Sequence, residues 1–377
     1  MDTHDHKPET NASGFIAPTS NAVEPEFELS TVPGHENAAP IPEEAAIADS
    51  APIDPKPKKS RTPFQESLRR FRRDKRAMIS LIVILCIVVI AILGPFIYHH
   101  IGGLYKQQLG THIIGPDVYH TYDHQELDRA HEMPSPQYWL GTDGIGRDIL
   151  ARLMQGMLIS IVLAVVVEIV DISLGITVGV LAGYYGGWID QFLARLADLL
   201  FAFPGLLFII LVAGILGGWA DDTLGAVPVI GAGGNARLLL ISIVLAFTSW
   251  PLMARYVRGQ TLQIKEQQYI EAARTSGTND LTILTRHIVP NLFSIVMVAS
   301  TLNIAGTIIG EAGISYLGLG VRPPGASIGL MISDASQSLS AYPWELLVPS
   351  LTLVIIVLSF SFIGDGLRDA FDPHSKD

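Results

Sequence analysis

Six stretches of this chain are so long and so apolar that water cannot be their solvent: residues 78–97, 158–181, 199–216, 238–257, 292–313 and 346–364. A helix rising 1.5 Å per residue needs roughly 17–25 apolar residues to cross about 30 Å of hydrocarbon, and each stretch reaches that length. Helices satisfy their backbone groups internally, as lipid demands, so the predicted fold is an all-α polytopic membrane protein with six transmembrane helices. Only 16% of the 377 residues are charged, against about a quarter in an ordinary soluble domain, which excludes that class.

The charge is unevenly placed. Of the net −11, residues 1–54 carry −10, with eleven acids against Lys7. Residues 1–60 show neither helical nor strand periodicity and are expected to form a disordered acidic tail, because they cannot bury enough surface to offset chain entropy. The first apolar run starts near Met78, too far along for a cleavable signal peptide. A nucleic-acid partner is excluded, since the tail repels phosphate and the remainder is near neutral.

Ten basic residues follow the tail: Lys56, Lys58, Lys59, Arg61, Arg69, Arg70, Arg72, Arg73, Lys75 and Arg76. Phe64, Leu68 and Phe71 recur among them at helical spacing, predicting a basic amphipathic helix over 61–76. It reads either as an interfacial helix on an anionic cytoplasmic leaflet or as topological charge alone. An even number of spans puts both termini on one side. With the N-terminus cytoplasmic, 19 Lys and Arg lie inside and six outside, so both termini are expected in the cytoplasm. The expected order is tail 1–60, basic helix 61–76, first span 77–97, external loop 98–140 and a core at 141–373.

Within the second span, Gly175, Gly179 and Gly183 line one helix face and predict a close-packed seam. Glu168 and Asp171 lie three residues apart near mid-depth, where an acid costs about 2.5–3.5 kcal/mol on insertion scales. The pair must face protein or a water-filled path. It reads as the lining of a translocation pathway, a cation-coupling site, or a structural pair hydrogen-bonded to neighbouring helices. Cys86 is the single cysteine, so no disulfide forms within the chain. His99, His100, His112, His120, His124 and His131 crowd the external loop, and imidazole suits nickel, zinc or copper. Their spacing matches no metal set, and no metal site is assigned. His4 and His6 in the tail are read as incidental.

The loop at about 258–291 carries the most chemistry. Lys265 to Ser276 is a good helix former, Gly277 breaks it, Asn279 or Asp280 caps a second short helix, and Pro290 stops that helix as the chain re-enters the membrane. Small Ala272 and Ala273 at the bend predict a compact knob suited to a groove on a partner. Glu271, Ala272 and Ala273, with Gly277 six positions and Pro290 nineteen positions after the Glu, resemble the EAA loop of ABC importer permeases. His287 and Val289 stand where Ile and Leu are common. The Arg-His-Ile-Val-Pro-Asn at 286–291 is similar to the dipeptide, oligopeptide and nickel branch.

Other motifs agree: Leu-Gly-Thr-Asp-Gly-Ile-Gly-Arg-Asp at 140–148, Ala-Gly-Tyr-Tyr-Gly-Gly-Trp-Ile-Asp at 182–190, Phe-Ala-Phe-Pro at 201–204, Ser-Tyr-Leu-Gly-Leu-Gly-Val-Arg-Pro-Pro at 315–324 and the ending at 364–373. Ile328 stands where the family often has Trp. The resemblance covers about residues 68–373 and suits the C-type permease of a heterodimeric pair.

The resemblance implies a type I ABC importer permease in a bacterial cell membrane. It also implies a sister permease, two cytoplasmic ATP-binding subunits, an extracellular substrate-binding protein, and a coupling role for Glu271, Ala272, Ala273, Gly277 and Pro290. The chain has no G-x-x-x-x-G-K-[ST] phosphate loop, since Gly231, Gly233 and Gly234 lack the lysine. It is therefore expected not to be an enzyme and to hold no cofactor. Peptides are the expected substrate, with nickel or a metal chelate as the alternative. An ion-coupled carrier would explain the intramembrane acids but not the knob, and a membrane-anchored scaffold would explain the tail but not six spans.

Overall fold

The computed structural model of the chain describes residues 63–109, 121–224 and 236–372. The tail at 1–60, Lys56, Lys58, Lys59, Arg61, His112, His120 and the glycine-rich 231–234 lie outside the described residues. Eleven α-helices are described: α1 (Pro63–Arg73), α2 (Lys75–Leu109), α3 (Ile149–Tyr185), α4 (Gly187–Ala202), α5 (Gly205–Leu224), α6 (Ala236–Lys265), α7 (Gln268–Thr275), α8 (Asp280–Thr282), α9 (Val289–Tyr316), α10 (Ile328–Ser336) and α11 (Pro343–Phe371). Six segments can cross a membrane by length and composition: Lys75–Ile101, α3, α5, α6, the continuous piece Asp280–Tyr316, and α11.

The third span departs from the expected 199–216. Hydropathy continues across residues 202–205, but Phe203 is extended (φ −90°, ψ 130°) and ends α4. The cause is Pro204, whose ring disfavours helical backbone in the residue before it. The membrane helix is α5. The first span also runs past its apolar stretch, with α2 continuing to Leu109.

The glycine seam packs against α6. A Cβ on Gly179 would lie 2.6 Å from the carbonyl oxygen of Ala254, and one on Gly183 would lie 2.7 Å from Cβ of Thr261. Dispersion at such short range replaces the hydrophobic drive that lipid does not supply. On the other flank of α3, Ile149, Met154, Ile308, Ile356 and Ile363 join α2, α3, α9 and α11 in one buried cluster.

Alternation of the spans places the start of α2, the end of α3, α4, α7, the start of α9 and the end of α11 on one side, the knob side. The start of α3, α10 and the start of α11 gather on the other. At 37 residues, α3 is about 55 Å long, far more than a bilayer core, so its first turns stand clear of the hydrocarbon.

Candidate functional site

The expected knob is present, with two changes from the sequence reading. The helix does not run unbroken from Lys265, because Gln267 is extended (φ −76°, ψ 143°) and α7 begins anew at Gln268. Pro290 does not stop a helix either. It sits in the first turn of α9, after a π-helical turn at Ile283–Ile288 in which the Val289 N–H donates to the Leu284 carbonyl, five residues back. The widened turn leaves room where a proline ring would otherwise strike the carbonyl four residues earlier.

Gly277 closes α7 at φ +76°, and Thr278 N–H donates to Ala273 O while Gly277 N–H donates to Arg274 O. This is the hydrogen-bond pair of a left-handed helix cap, which glycine adopts without a Cβ penalty. Asn279, rather than Asp280, caps the next helix by accepting the Thr282 N–H at 2.8 Å. The inner side of the knob is held by Ile270, 0% exposed, against Ile283, Leu284 and Ile288. Tyr184 at the end of α3 donates its hydroxyl to Asp280 at 2.7 Å and takes the Arg274 guanidinium over its ring at 4.8 Å.

Glu271, Ala272, Gly277 and Pro290 are exposed and Ala273 is half-buried, so the outer side offers a ridge of small residues with the Glu271 carboxylate on it. Beside it, Arg258 of α6 makes a two-pronged ion pair with Asp190 of α4, and those hydrogen bonds hold the Asp190 carboxyl below the usual carboxylate range.

Glu168 and Asp171 do meet, and both are buried, Asp171 at 1% exposure. Asn303 of α9 bridges them, donating from Nδ2 at 2.9 Å to Glu168 Oε2 and 3.0 Å to Asp171 Oδ2. The other oxygen of each carboxyl has no hydrogen-bond partner. A third buried acid, Glu311 on α9, accepts the hydroxyls of Ser160 at 2.7 Å and Ser315 at 2.6 Å. Sequence reasoning passed over Asn303 and Glu311. The only available signal was a polar residue inside an apolar run.

On the opposite side, the 140–148 motif builds a folded corner. Asp148 caps α3 through the N–H groups of Leu150 and Ala151. Asp143 Oδ2 accepts Arg147 Nε at 2.7 Å and Arg152 at 2.6 Å. Both arginines also reach Oδ2 of Asp334 on α10, at 2.9 and 3.0 Å. Asp143, Arg147, Arg152 and Asp334 line a cavity of about 440 Å³ with His131 and Glu345. His131 does not join a metal set: it pairs with Glu345 at 2.7 Å and stacks on Tyr342. His124 pairs with Glu126. Among the described residues, no group of three or more His, Cys, Asp or Glu could hold a metal ion.

Six membrane helices, a knob anchored at its base but bare on its crest, and buried acids bridged between two spans define a polytopic transport subunit. Residues 175–377 match the family described as binding-protein-dependent transport system inner membrane component, and residues 62–131 match the N-terminal TM domain of oligopeptide transport permease C. Among curated proteins, the glutathione transport system permease protein GsiD of Shigella flexneri serotype 5b is 38% identical over 331 residues, 88% of this chain and 97% of that protein. GsiD of Escherichia coli O157:H7 is 37% identical over the same coverage. A solved structure of the MetNI methionine ABC transporter, inward facing, overlaps 58% of this chain and 96% of its own, at 17% identity and a TM-score of 0.46. The chain belongs to the binding-protein-dependent transport system inner membrane component family. It is an ABC importer permease subunit, a multi-pass inner-membrane protein and a transporter component rather than an enzyme.

Proposed function

We propose that this chain forms half of the translocation channel of an importer for short peptides, in a heterodimer with a sister permease. Two cytoplasmic ATP-binding subunits hydrolyse ATP, and an extracellular substrate-binding protein delivers the cargo. Both termini lie in the cytoplasm, an assignment that rests on the Lys and Arg bias. The knob is the observation that carries the reading. Ile270 ties it to the bundle while Glu271, Ala272, Ala273 and Gly277 offer a ridge to a groove on the ATP-binding subunit. Pro290 sits where the knob passes into α9.

Because α8, the π-turn and α9 form one continuous span, a push on the knob is delivered along α9 to Asn303, roughly 20 Å away. We assign Glu168 and Asp171 to the pathway in the state where α9 withdraws Asn303 from them. The peptide class is supported by relatives named for glutathione transport and by the oligopeptide permease match at 62–131.

The test is uptake of labelled glutathione, other short peptides and nickel by cells carrying or lacking this chain, and by cells carrying Glu271→Lys. Loss of peptide uptake in the deletion, and in Glu271→Lys with the protein still inserted, is expected. Nickel uptake lost with peptide uptake intact would reassign the substrate. Normal uptake in Glu271→Lys would remove the coupling role.

A further inference from the structure

The basic helix α1 is more than topological charge. It lies at the mouth of the first span, separated from α2 only by Asp74, whose carboxylate accepts the Arg76 N–H at 2.9 Å. One edge is fixed to the bundle: Phe71 is buried, Arg70 donates to the Asp372 carbonyl, and the Phe64 ring sits 6.1 Å from Phe293 of α9 and 6.2 Å from Phe371 of α11. A Cβ on Gly366 of α11 would strike Ala77, so the contact is close.

The other edge is bare. At about 100° per residue, Arg72, Arg69 and Arg73 fall within roughly a 100° arc. All three are exposed, as are Lys75 and Arg76. Arg69, Arg72, Arg73 and Lys75 have no carboxylate or hydrogen-bond partner among the described residues, whereas Arg76 has only Asp74 at 3.9 Å. Next to this arc Phe64 (52% exposed) and Leu68 (41% exposed) present apolar surface. Several unneutralised cations beside bare apolar side chains, at the depth where a membrane span begins, match the two halves of an anionic phospholipid, phosphate above acyl chain.

We propose that α1 is a seat for anionic phospholipid: Arg69, Arg72 and Arg73, with Lys75, hold headgroup phosphate, Phe64 and Leu68 receive the upper acyl chain, and the lipid thereby packs against the feet of α9 and α11. The seat is independent of the substrate and of the ATP-binding subunits, since bound lipid is read out without transport.

The full-length protein in neutral detergent is titrated with phosphatidylglycerol or with phosphatidylcholine, and bound lipid is counted by native mass spectrometry. Phosphatidylglycerol is retained in excess and is released as salt shortens the screening length from about 10 Å at 0.1 M to about 3 Å at 1 M. Each basic residue contributes roughly a fivefold factor, so R69Q/R72Q/R73Q weakens retention by roughly 100-fold. R69K/R72K/R73K restores it, separating charge from shape. If the triple glutamine variant does not fold, R72Q and R73Q singly carry the same comparison at roughly fivefold each.

Equal retention of the two lipids, or unchanged affinity in the glutamine variants, overturns the proposal. Displacement of the lipid by inorganic phosphate at fixed ionic strength, beyond that caused by the same ionic strength of chloride, would make this a free-phosphate site and overturn it too. Retention seen only after removal of residues 1–54 would give the face to the acidic tail and overturn lipid as its occupant in the full chain.

Discussion

Ile270→Ala tests the knob at its root. Ile270 is fully enclosed by Ile283, Leu284 and Ile288, and truncating such a side chain to Ala costs about 2–5 kcal/mol, because transfer energy is lost and a cavity remains. Two other ties hold the knob. The Tyr184 hydroxyl on Asp280 contributes about 1.5–3 kcal/mol as a hydrogen bond to a charged group, and Arg274 over Tyr184 adds about 0.5–1 kcal/mol as a cation–π contact. The isoleucine therefore matches or exceeds both together. Its loss opens the knob locally, while Val180, Met253, Val257 and Leu292 keep the bundle beneath it closed.

At about 1.4 kcal/mol per tenfold, a loss near 3 kcal/mol raises the open fraction about 100-fold. Hydrogen exchange on the full-length protein should show α7 amides exchanging about 100-fold faster in Ile270→Ala, with α3 and α6 unchanged and peptide uptake reduced. Ile270→Val, at about 0.5–1.5 kcal/mol, should raise exchange by about tenfold or less. Unchanged α7 exchange, or an equal rise in α3 and α6, would mean that Ile270 is not what ties the knob to the bundle.

Gly179→Val should lower thermal stability by about 1–3 kcal/mol, since its side chain runs into the Ala254 backbone; Gly259→Ala, with open space around it, should be neutral or slightly stabilising, and melting of the two purified variants compares them. Asp148→Ala removes the α3 cap and should cost about 1 kcal/mol in the same measurement. Because Arg258 holds the Asp190 carboxyl below its ordinary value, their link between α4 and α6 is complete above the ordinary carboxylate pKa of about 4 and fades as pH falls through the lower folded value. Exchange in α4 should rise only in strong acid, and that step should disappear in Arg258→Gln. Asn303→Leu removes the shared donor of two buried carboxyls and should cut uptake with the protein still inserted; unchanged uptake would separate those acids from transport.

The sequence spoke clearly wherever a signal is local. Gly277 as the end of one short helix, and Asn279 or Asp280 as the cap of the next, fall within four residues, and the Gly175, Gly179, Gly183 row announced a seam, though not that α6 fills it. Partners far along the chain were invisible. Asn303 meets Glu168 across 135 positions, and Asp334 meets Arg147 across 187, so neither pairing has any periodicity to betray it. Pro204 was in plain view, yet a hydropathy window averages over a single proline, and two helices merged into one expected span. Pro290 was misjudged for the opposite reason: a proline stops a regular helix, and the turn before it is not regular.

That turn sets a length rule. A π-turn holds one residue more than the α-helical path it replaces, and one residue of helix is about 100° of rotation. Deleting a single residue from Ile283–Ile288 would let the segment close into regular α-helix with the ridge still in phase, but the Pro290 ring would then meet the carbonyl four residues earlier; deleting one from the regular helix of α9 would instead swing the ridge about 100° around its axis. The π-turn therefore works as a take-up device, letting the chain carry one more residue ahead of Pro290 while the ridge keeps its angle to α9.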